Sequence, residues 1–203
     1  MKIGILGGTF DPVHIGHLII AEYACDELAL NKLLIIPAAI PPHKKGKNII
    51  DGKHRLEMVK LATSDNPMFE VSDIELKKHG VSYSVETLRI IQAKMKVLSE
   101  YFFIVGSDML GELHTWKEID QFVDMCNFVI AVRPGFKKEN WKKIKLPLAE
   151  ETRQKVMQNL LENPMIDISS TDIRTRISEG KSIRYMVPKA VEDYIIQNNL
   201  YRN

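Results

Sequence analysis

The chain is short of cysteine, of net charge and of long apolar runs. Two of its 203 residues, Cys25 and Cys126, are cysteines. That is too few for a disulfide scaffold, and their spacing matches no zinc site. Both are read as buried thiols of a reducing compartment, and the expected location is the cytoplasm. The 28 Lys and Arg nearly cancel 26 Asp and Glu, leaving a net charge of +2, too small to argue for nucleic acid. The positive charge gathers in two places: Lys44, Lys45 and Lys47, and then Lys137, Lys138, Lys142, Lys143 and Lys145. The second cluster reads as solvated surface. The first apolar run is cut within a few residues by Gly7-Gly8, so it suits neither a signal peptide nor a membrane span. Internal repeats, low-complexity tracts and an interdomain linker are also missing.

What the chain does have is alternation. Short runs rich in β-branched and aromatic residues, at 2–6, 32–36, 69–73, 101–105, 127–132 and 165–168, read as strands. Between them lie helical stripes: Leu18, Ala21, Cys25 and Leu28, then Leu56, Val59 and Ala62, then Val85, Leu88, Ile91 and Met95. A last helix follows Pro188, which suits a first turn. With 45% hydrophobic and 27% charged residues, the expected fold is α/β. It is a Rossmann-like, doubly wound parallel sheet forming a single domain over residues 1–203, with C-terminal helices.

The densest local signal follows the first strand: Gly7-Gly8-Thr9-Phe10-Asp11-Pro12-Val13-His14-Ile15-Gly16-His17-Leu18. Paired glycines let the backbone approach a ligand closely. A helix starting near Gly16 offers free N–H groups and the positive end of its dipole to an anion. His14 and His17, three apart, can face one ligand and donate to phosphoryl oxygens. Taken alone, the glycines fit neither GxGxxG nor the GxxxxGK[ST] phosphate loop, and HxxH is also half of a metal pattern. Two further segments invite attention. Pro37–Asn48, with its prolines, His43 and three lysines, leaves the C-terminal end of a strand, where open α/β sheets bind ligands. In Ile168-Ser169-Ser170-Thr171-Asp172-Ile173-Arg174, hydroxyls that can cap a helix precede an arginine one turn on.

Taken whole, the first string resembles the (T/S)-F-D-P-x-H-x-G-H signature of the nucleotidyltransferase superfamily, and in its full form it is most similar to the bacterial nicotinate-nucleotide adenylyltransferase family. Ile168–Arg174 resembles the second signature, I-S-S-T-x-I-R, which in the family holds the β- and γ-phosphates. Pro41-Pro42-His43-Lys44 matches the P-P-H-K loop beside the triphosphate, and Asp51 with Arg55-Leu56-Glu57-Met58 matches D-x-x-x-R-L-x-M. Ser82-Tyr83-Ser84-Val85-Glu86-Thr87 matches S-Y-T-x-D/E-T, with Ser84 in place of threonine. Gly106-Ser107-Asp108, Trp116-Lys117 and Arg133-Pro134-Gly135 complete a likeness that runs from residue 3 to about 200.

The resemblance implies transfer of the adenylyl group of ATP to nicotinate mononucleotide, giving deamido-NAD and pyrophosphate. Catalytic roles fall on His14, His17, Lys44 and Arg174. ATP is implied at Gly7, Gly8, Thr9, Phe10, His14, Gly16, His17, Lys44, Gly106, Asp108, Arg133, Ser169, Ser170, Thr171 and Arg174. Nicotinate mononucleotide is implied at Tyr83, Thr87, Trp116 and Lys117. No protein metal site is expected, Mg²⁺ being bound mainly through ATP phosphates, and neither nucleic acid nor membrane is expected as a partner. The sequence leaves a homo-oligomer open. A pantetheine-phosphate adenylyltransferase or a cytidylyltransferase usually has a shorter chain without this set of motifs. An inactive nucleotide-binding regulator would not need His14, His17, Lys44 and Arg174 together. An NAD-dependent oxidoreductase would carry its fingerprint after the first strand.

Overall fold

The computed structural model describes residues 1–40, 49–78, 80–95, 97–136 and 144–202. Six strands, β1 (Lys2–Gly8), β2 (Lys32–Pro37), β3 (Phe69–Val71), β4 (Glu100–Gly106), β5 (Asn127–Ala131) and β6 (Asn159–Leu161), pair in the order β3-β2-β1-β4-β5-β6. Every pairing is parallel. Among the described residues seven helices cover the sheet: α1 (Ile15–Glu27), α2 (Gly52–Thr63), α3 (Ser84–Lys94), α4 (Ile119–Met125), α5 (Glu150–Val156), α6 (Ser170–Ser178) and α7 (Lys189–Gln197). A 3-10 segment, Ser107–Thr115, follows β4. This is the doubly wound Rossmann-like order expected from the alternation of strands and helices.

Because successive side chains of a strand point to opposite faces, the central strands fill two apolar layers. Leu33, Ile35, Phe102, Ile104, Val129 and Ala131 face α1, α2, α6 and α7, whereas Leu34, Ile36, Tyr101, Phe103, Val105, Phe128 and Ile130 face α3, α4, α5 and the 3-10 segment. Burial on both faces explains why the strands read as continuous apolar runs. The strand order reverses between β1 and β4, the place where such sheets open a crevice at their carboxyl ends.

Three expectations need correction. No strand forms at 165–168; the edge strand is Asn159–Leu161. Just beyond it, the Asn163 amide takes the ladder's place, accepting from the Val132 N–H at 2.9 Å and donating to the Val132 carbonyl at 3.0 Å. Pro164 then supplies no N–H to continue. On α2, Leu56 is only partly buried, and the inward face carries Arg55, Met58, Val59, Ala62 and Thr63. Cys25 is buried but Cys126 only partly so. Burial pushes the thiols up to about 11 and about 12, with Glu22 and Asp26 adding to the effect at Cys25, so both stay protonated and unreactive at neutral pH.

Candidate active site

The turn after β1 is held from below by a buried cation. Arg55, 2% exposed, donates from its guanidinium to the carbonyls of Thr9 at 2.8 Å, Ala38 at 2.7 Å and Ala39 at 3.2 Å, and from Nε to that of Ile50 at 3.1 Å. Asp51 starts the same helix, accepting from the Lys53 N–H at 2.8 Å. Burial lowers the Arg55 pKa, and the charges of Asp11, Tyr201 and Asp51 oppose that shift. The planar fork of a guanidinium can serve four carbonyls at once, which ties the glycine turn to the segment leaving β2.

Above it, His14 is the N-cap of α1 and is 1% exposed. Its backbone N–H donates to His17 Nδ1 at 3.2 Å, and the two rings stack with centroids 3.7 Å apart. Phe10 sets its edge against His17 at 5.0 Å. Burial, with the Arg133 charge second, pulls the His14 pKa down to about 4, so the ring is neutral at pH 7. His14 Nδ1 is buried without a hydrogen-bond partner among the described residues, an arrangement that calls for an explanation such as a ligand. The ring lies against Gly16: a Cβ there would stand 3.1 Å from His14 Nδ1 and 3.2 Å from Cε1. The glycine therefore makes room for the imidazole at the start of the helix.

α6 docks on the same turn. Ser169 caps it, accepting from the Asp172 N–H at 3.1 Å, and Ser170 Oγ donates to the Pro12 carbonyl at 2.9 Å. Arg174 donates to the Asp11 carbonyl at 2.7 Å and to Thr171 Oγ1 at 3.2 Å, and lies 3.9 Å from the Asp11 carboxylate. Tyr201 donates to that carboxylate at 2.8 Å. The hydroxyls and guanidinium do converge, then, on Asp11-Pro12. Arg174 remains one-third exposed, and its five N–H donors exceed the two used here.

A cavity of about 370 Å³ opens at the switch point, lined by Gly7, Gly8 and Thr9 on one side, by Gly106 on another, and by Tyr83, Thr87, Trp116 and Lys117 on the third. Asp108, 61% exposed, stands 3.9 Å from Arg133 Nε. Its carboxylate packs over Gly106 so closely that a Cβ there would be 2.2 Å from Oδ1. Trp116 leans on Phe103, Phe122 and Phe128 with centroids 5.9 to 6.2 Å away, and its Nε1 is buried without a partner among the described residues. Lys117 pairs with Glu86 at 2.6 Å and sits 4.9 Å from the Tyr83 ring centre; Lys78 pairs with Glu86 too.

The candidate residues thus fall into two neighbouring groups. The glycine turn shares a cavity with the Tyr83, Thr87, Trp116 and Lys117 set, while His14, His17, Ser170, Thr171 and Arg174 cluster around Asp11-Pro12, with Phe10 between the groups. Lys44 and the rest of 41–48 lie outside the described residues, as do Lys137, Lys138, Lys142 and Lys143. Sequence reasoning missed Glu75, which lines the cavity and accepts from Thr87 Oγ1 at 2.7 Å. No spacing or motif marks it. It also left Arg55 without a role, although a charge at a core position of α2 was a visible signal.

A family model described as cytidylyltransferase-like matches residues 5–176. A protein named probable nicotinate-nucleotide adenylyltransferase from Moorella thermoacetica is 42% identical over 201 residues, spanning 99% of this chain and 92% of that one. One of the same name from Desulfitobacterium hafniense is 44% identical over 206 residues, spanning 99% and 96%. The chain belongs to the nicotinate-nucleotide adenylyltransferase family. Among solved structures, a Plasmodium falciparum nicotinic acid mononucleotide adenylyltransferase complexed with NaAD aligns with a TM-score of 0.76 over 98% of this chain and 97% of that one, at 21% identity. That likeness is one of fold. Within this nucleotidyltransferase family, the crevice between β1 and β4 is the adenylyltransferase site candidate that the geometry singles out.

Proposed function

We propose that the protein transfers the adenylyl group of ATP to nicotinate mononucleotide, a step of NAD biosynthesis that yields deamido-NAD and pyrophosphate. The observation that carries this reading is the cavity running from Gly7-Gly8 to Trp116 with the His14–His17 stack beside it. The 5′-phosphate of the mononucleotide attacks the α-phosphorus. A new P–O bond forms as the bond to the β-phosphate oxygen breaks, and its electron pair leaves with pyrophosphate. The attacking group is already an anion at neutral pH, so alignment and shielding of charge replace general-base catalysis.

His14 and His17, with the α1 N-terminus at Gly16, hold the α-phosphate. His14 Nδ1, buried without a partner among the described residues, supports that role. Ser170, Thr171 and Arg174, with Lys44, hold the departing pyrophosphate. Asp108 meets the ribose and Arg133 lies beside the adenosine. On the acceptor side, Trp116 stacks on the pyridine ring, flanked by Tyr83 and Lys117. The Thr87 hydroxyl is spent on Glu75, so the nicotinate carboxylate is met by the backbone N–H groups of Ser84 and Val85 in the first turn of α3, which have no partners within the helix.

ATP enters as its Mg²⁺ complex. The donor set suits phosphate, with the stacked imidazoles of His14 and His17 and the cations Arg133 and Arg174, and among the described residues no three His, Cys, Asp or Glu side chains gather as a metal site. Carried with ATP, the ion would supply charge neutralisation at the phosphate oxygens. We place the reaction in the cytoplasm, without nucleic acid or membrane as partner; no helix among the described residues is long and apolar enough to cross a membrane.

A substrate panel tests the reading. ATP is paired in turn with nicotinate mononucleotide, nicotinamide mononucleotide and phosphopantetheine, and pyrophosphate release is followed. Release with nicotinate mononucleotide above the other two is expected. Release only with phosphopantetheine, or with none, overturns the assignment.

A further inference from the structure

We propose that Glu75 is a positioning residue of the acceptor pocket, holding the first turn of α3 in the orientation that meets the pyridine's acid group; the proposal rests on nicotinate mononucleotide being the acceptor. Glu75 lies in the turn between β3 and α3 and lines the cavity with Tyr83, Thr87 and Trp116. It accepts from the Thr87 hydroxyl at 2.7 Å, and Ser82, in the same cavity wall, helps hold its pKa down. Ser82 Oγ accepts in turn from the Ala39 N–H at 3.1 Å, and the Ser82 N–H donates to the Ile40 carbonyl at 3.1 Å. The carboxyl group therefore ties the turn after β3 to the start of α3, beside a Ser82 that is itself bonded to the segment leaving β2.

The consequence is local. Thr87 is buried, and its hydroxyl proton is committed to Glu75. The Tyr83 carbonyl accepts from the N–H groups of Glu86 at 3.0 Å and Thr87 at 3.1 Å. Ser84 and Val85, both in the cavity wall, carry the remaining first-turn amides. Their aim is set by the turn of α3 that Glu75 holds through Thr87. Burial raises the Glu75 pKa, opposed first by the hydrogen bonds from Thr87 and Ser82 and then by the Lys78 charge. A carboxyl group is a costly strut in a wall that must also receive the substrate's own carboxylate. Its carboxylate oxygen is the acceptor that the Thr87 hydroxyl requires.

The test compares wild type with Glu75→Ala and Glu75→Gln. Steady-state kinetics with each substrate varied are combined with hydrogen exchange of residues 82–87 in the substrate-free protein. For Glu75→Ala we expect KM for nicotinate mononucleotide to rise about tenfold, the scale of one lost tether, with KM for ATP changed less than about twofold. Exchange at 82–87 should quicken, and Glu75→Gln, which keeps an acceptor oxygen, should recover most of both effects. An unchanged acceptor KM, equal rises in both KM values, or a Gln variant no better than Ala overturns the proposal. The exchange measurement needs no substrate. If wild type fails to use nicotinate mononucleotide while exchange still responds to Glu75→Ala, the acceptor assignment falls and the positioning role stands; unchanged exchange removes the positioning role whatever the substrate.

Discussion

Arg55 donates to the carbonyl of Thr9 at 2.8 Å, so the turn that follows β1 rests on a charge buried in α2. The same guanidinium reaches Ala38, Ala39 and Ile50. Arg55→Met would fill the volume but leave these carbonyls without their donor. An unsatisfied buried acceptor costs about 1–3 kcal/mol, and relaxation recovers part of the sum, so the expected loss is on the order of 3–5 kcal/mol. Arg55→Lys should fare little better, since an ammonium lacks the planar fork. Denaturant unfolding checks this; a loss below about 1 kcal/mol would show that the carbonyls find other donors.

Gly16→Ala should separate chemistry from folding. Alanine suits a helix better than glycine by about 1 kcal/mol, so the melting temperature should hold or rise slightly. Its Cβ, however, would stand 3.1 Å from His14 Nδ1, and the imidazole must shift by a few tenths of an ångström to relieve the contact. Misplacing a group that meets charge developing in the transition state lowers kcat, here by about tenfold to a hundredfold. Steady-state kinetics beside a thermal melt decide it. Normal kcat would remove His14 from the phosphate site.

The buried His14 also fixes a pH dependence. Its pKa in the folded protein is about 4 against 6.5 for the free side chain, so between these values the unfolded chain binds the extra proton. Stability therefore falls as pH drops from about 6.5 toward 4, by up to roughly 3 kcal/mol from this residue. Above pH 6.5 it contributes no slope. The difference in unfolding free energy between wild type and His14→Asn, followed over that range, isolates the residue from Glu75, whose raised pKa acts in the opposite sense. A difference that stays constant with pH would mean that His14 titrates normally.

The sheet was legible because its strands are apolar on both faces, and its edge was not, because three residues of strand carry too little pattern. Met165 to Ile168 looked more strand-like than Asn159–Leu161; only the Asn163 side chain pairing with Val132 shows where the ladder stops. The glycine turn, the histidines and Ser169–Arg174 could be found because each sits next to a helix start, where sequence and chemistry share a local rule. Glu75 and Arg55 could not be assigned roles that way. Their partners Thr9, Ala38, Ala39 and Thr87 lie 12 to 46 residues away, so their meaning depends on how the crossovers pack. Thr87 shows the same limit, since its hydroxyl was open to a ligand until Glu75 was seen to claim it.

Turnover should require Mg²⁺ or a similar hard cation delivered with ATP. Chelation with EDTA is expected to stop pyrophosphate release while leaving the melting temperature of the substrate-free protein unchanged, because the ion is held through phosphate. A melting temperature that drops on chelation would place a metal in the resting protein and would remove His14 and His17 from the phosphate site if they proved to be its ligands.

Trp116 should set acceptor affinity without setting acceptor choice. Nicotinate and nicotinamide share the same ring, and stacking on an indole cannot tell a carboxylate from an amide. Discrimination must come from donors that suit two acceptor oxygens and leave an amide NH₂ facing an N–H. A site built on such hydrogen bonds can reach roughly 10⁴-fold selectivity. Trp116→Ala removes the stacking surface and its contacts with Phe103, Phe122 and Phe128, so kcat/KM should fall for both mononucleotides by a similar factor, about tenfold or more. Their ratio should persist, because the α3 amides remain. Measuring kcat/KM for each mononucleotide in wild type and variant checks this; a ratio that collapses in Trp116→Ala would place the discriminating contact on the indole or on the backbone beside it, and equal values in wild type would make the enzyme a dual-specificity one.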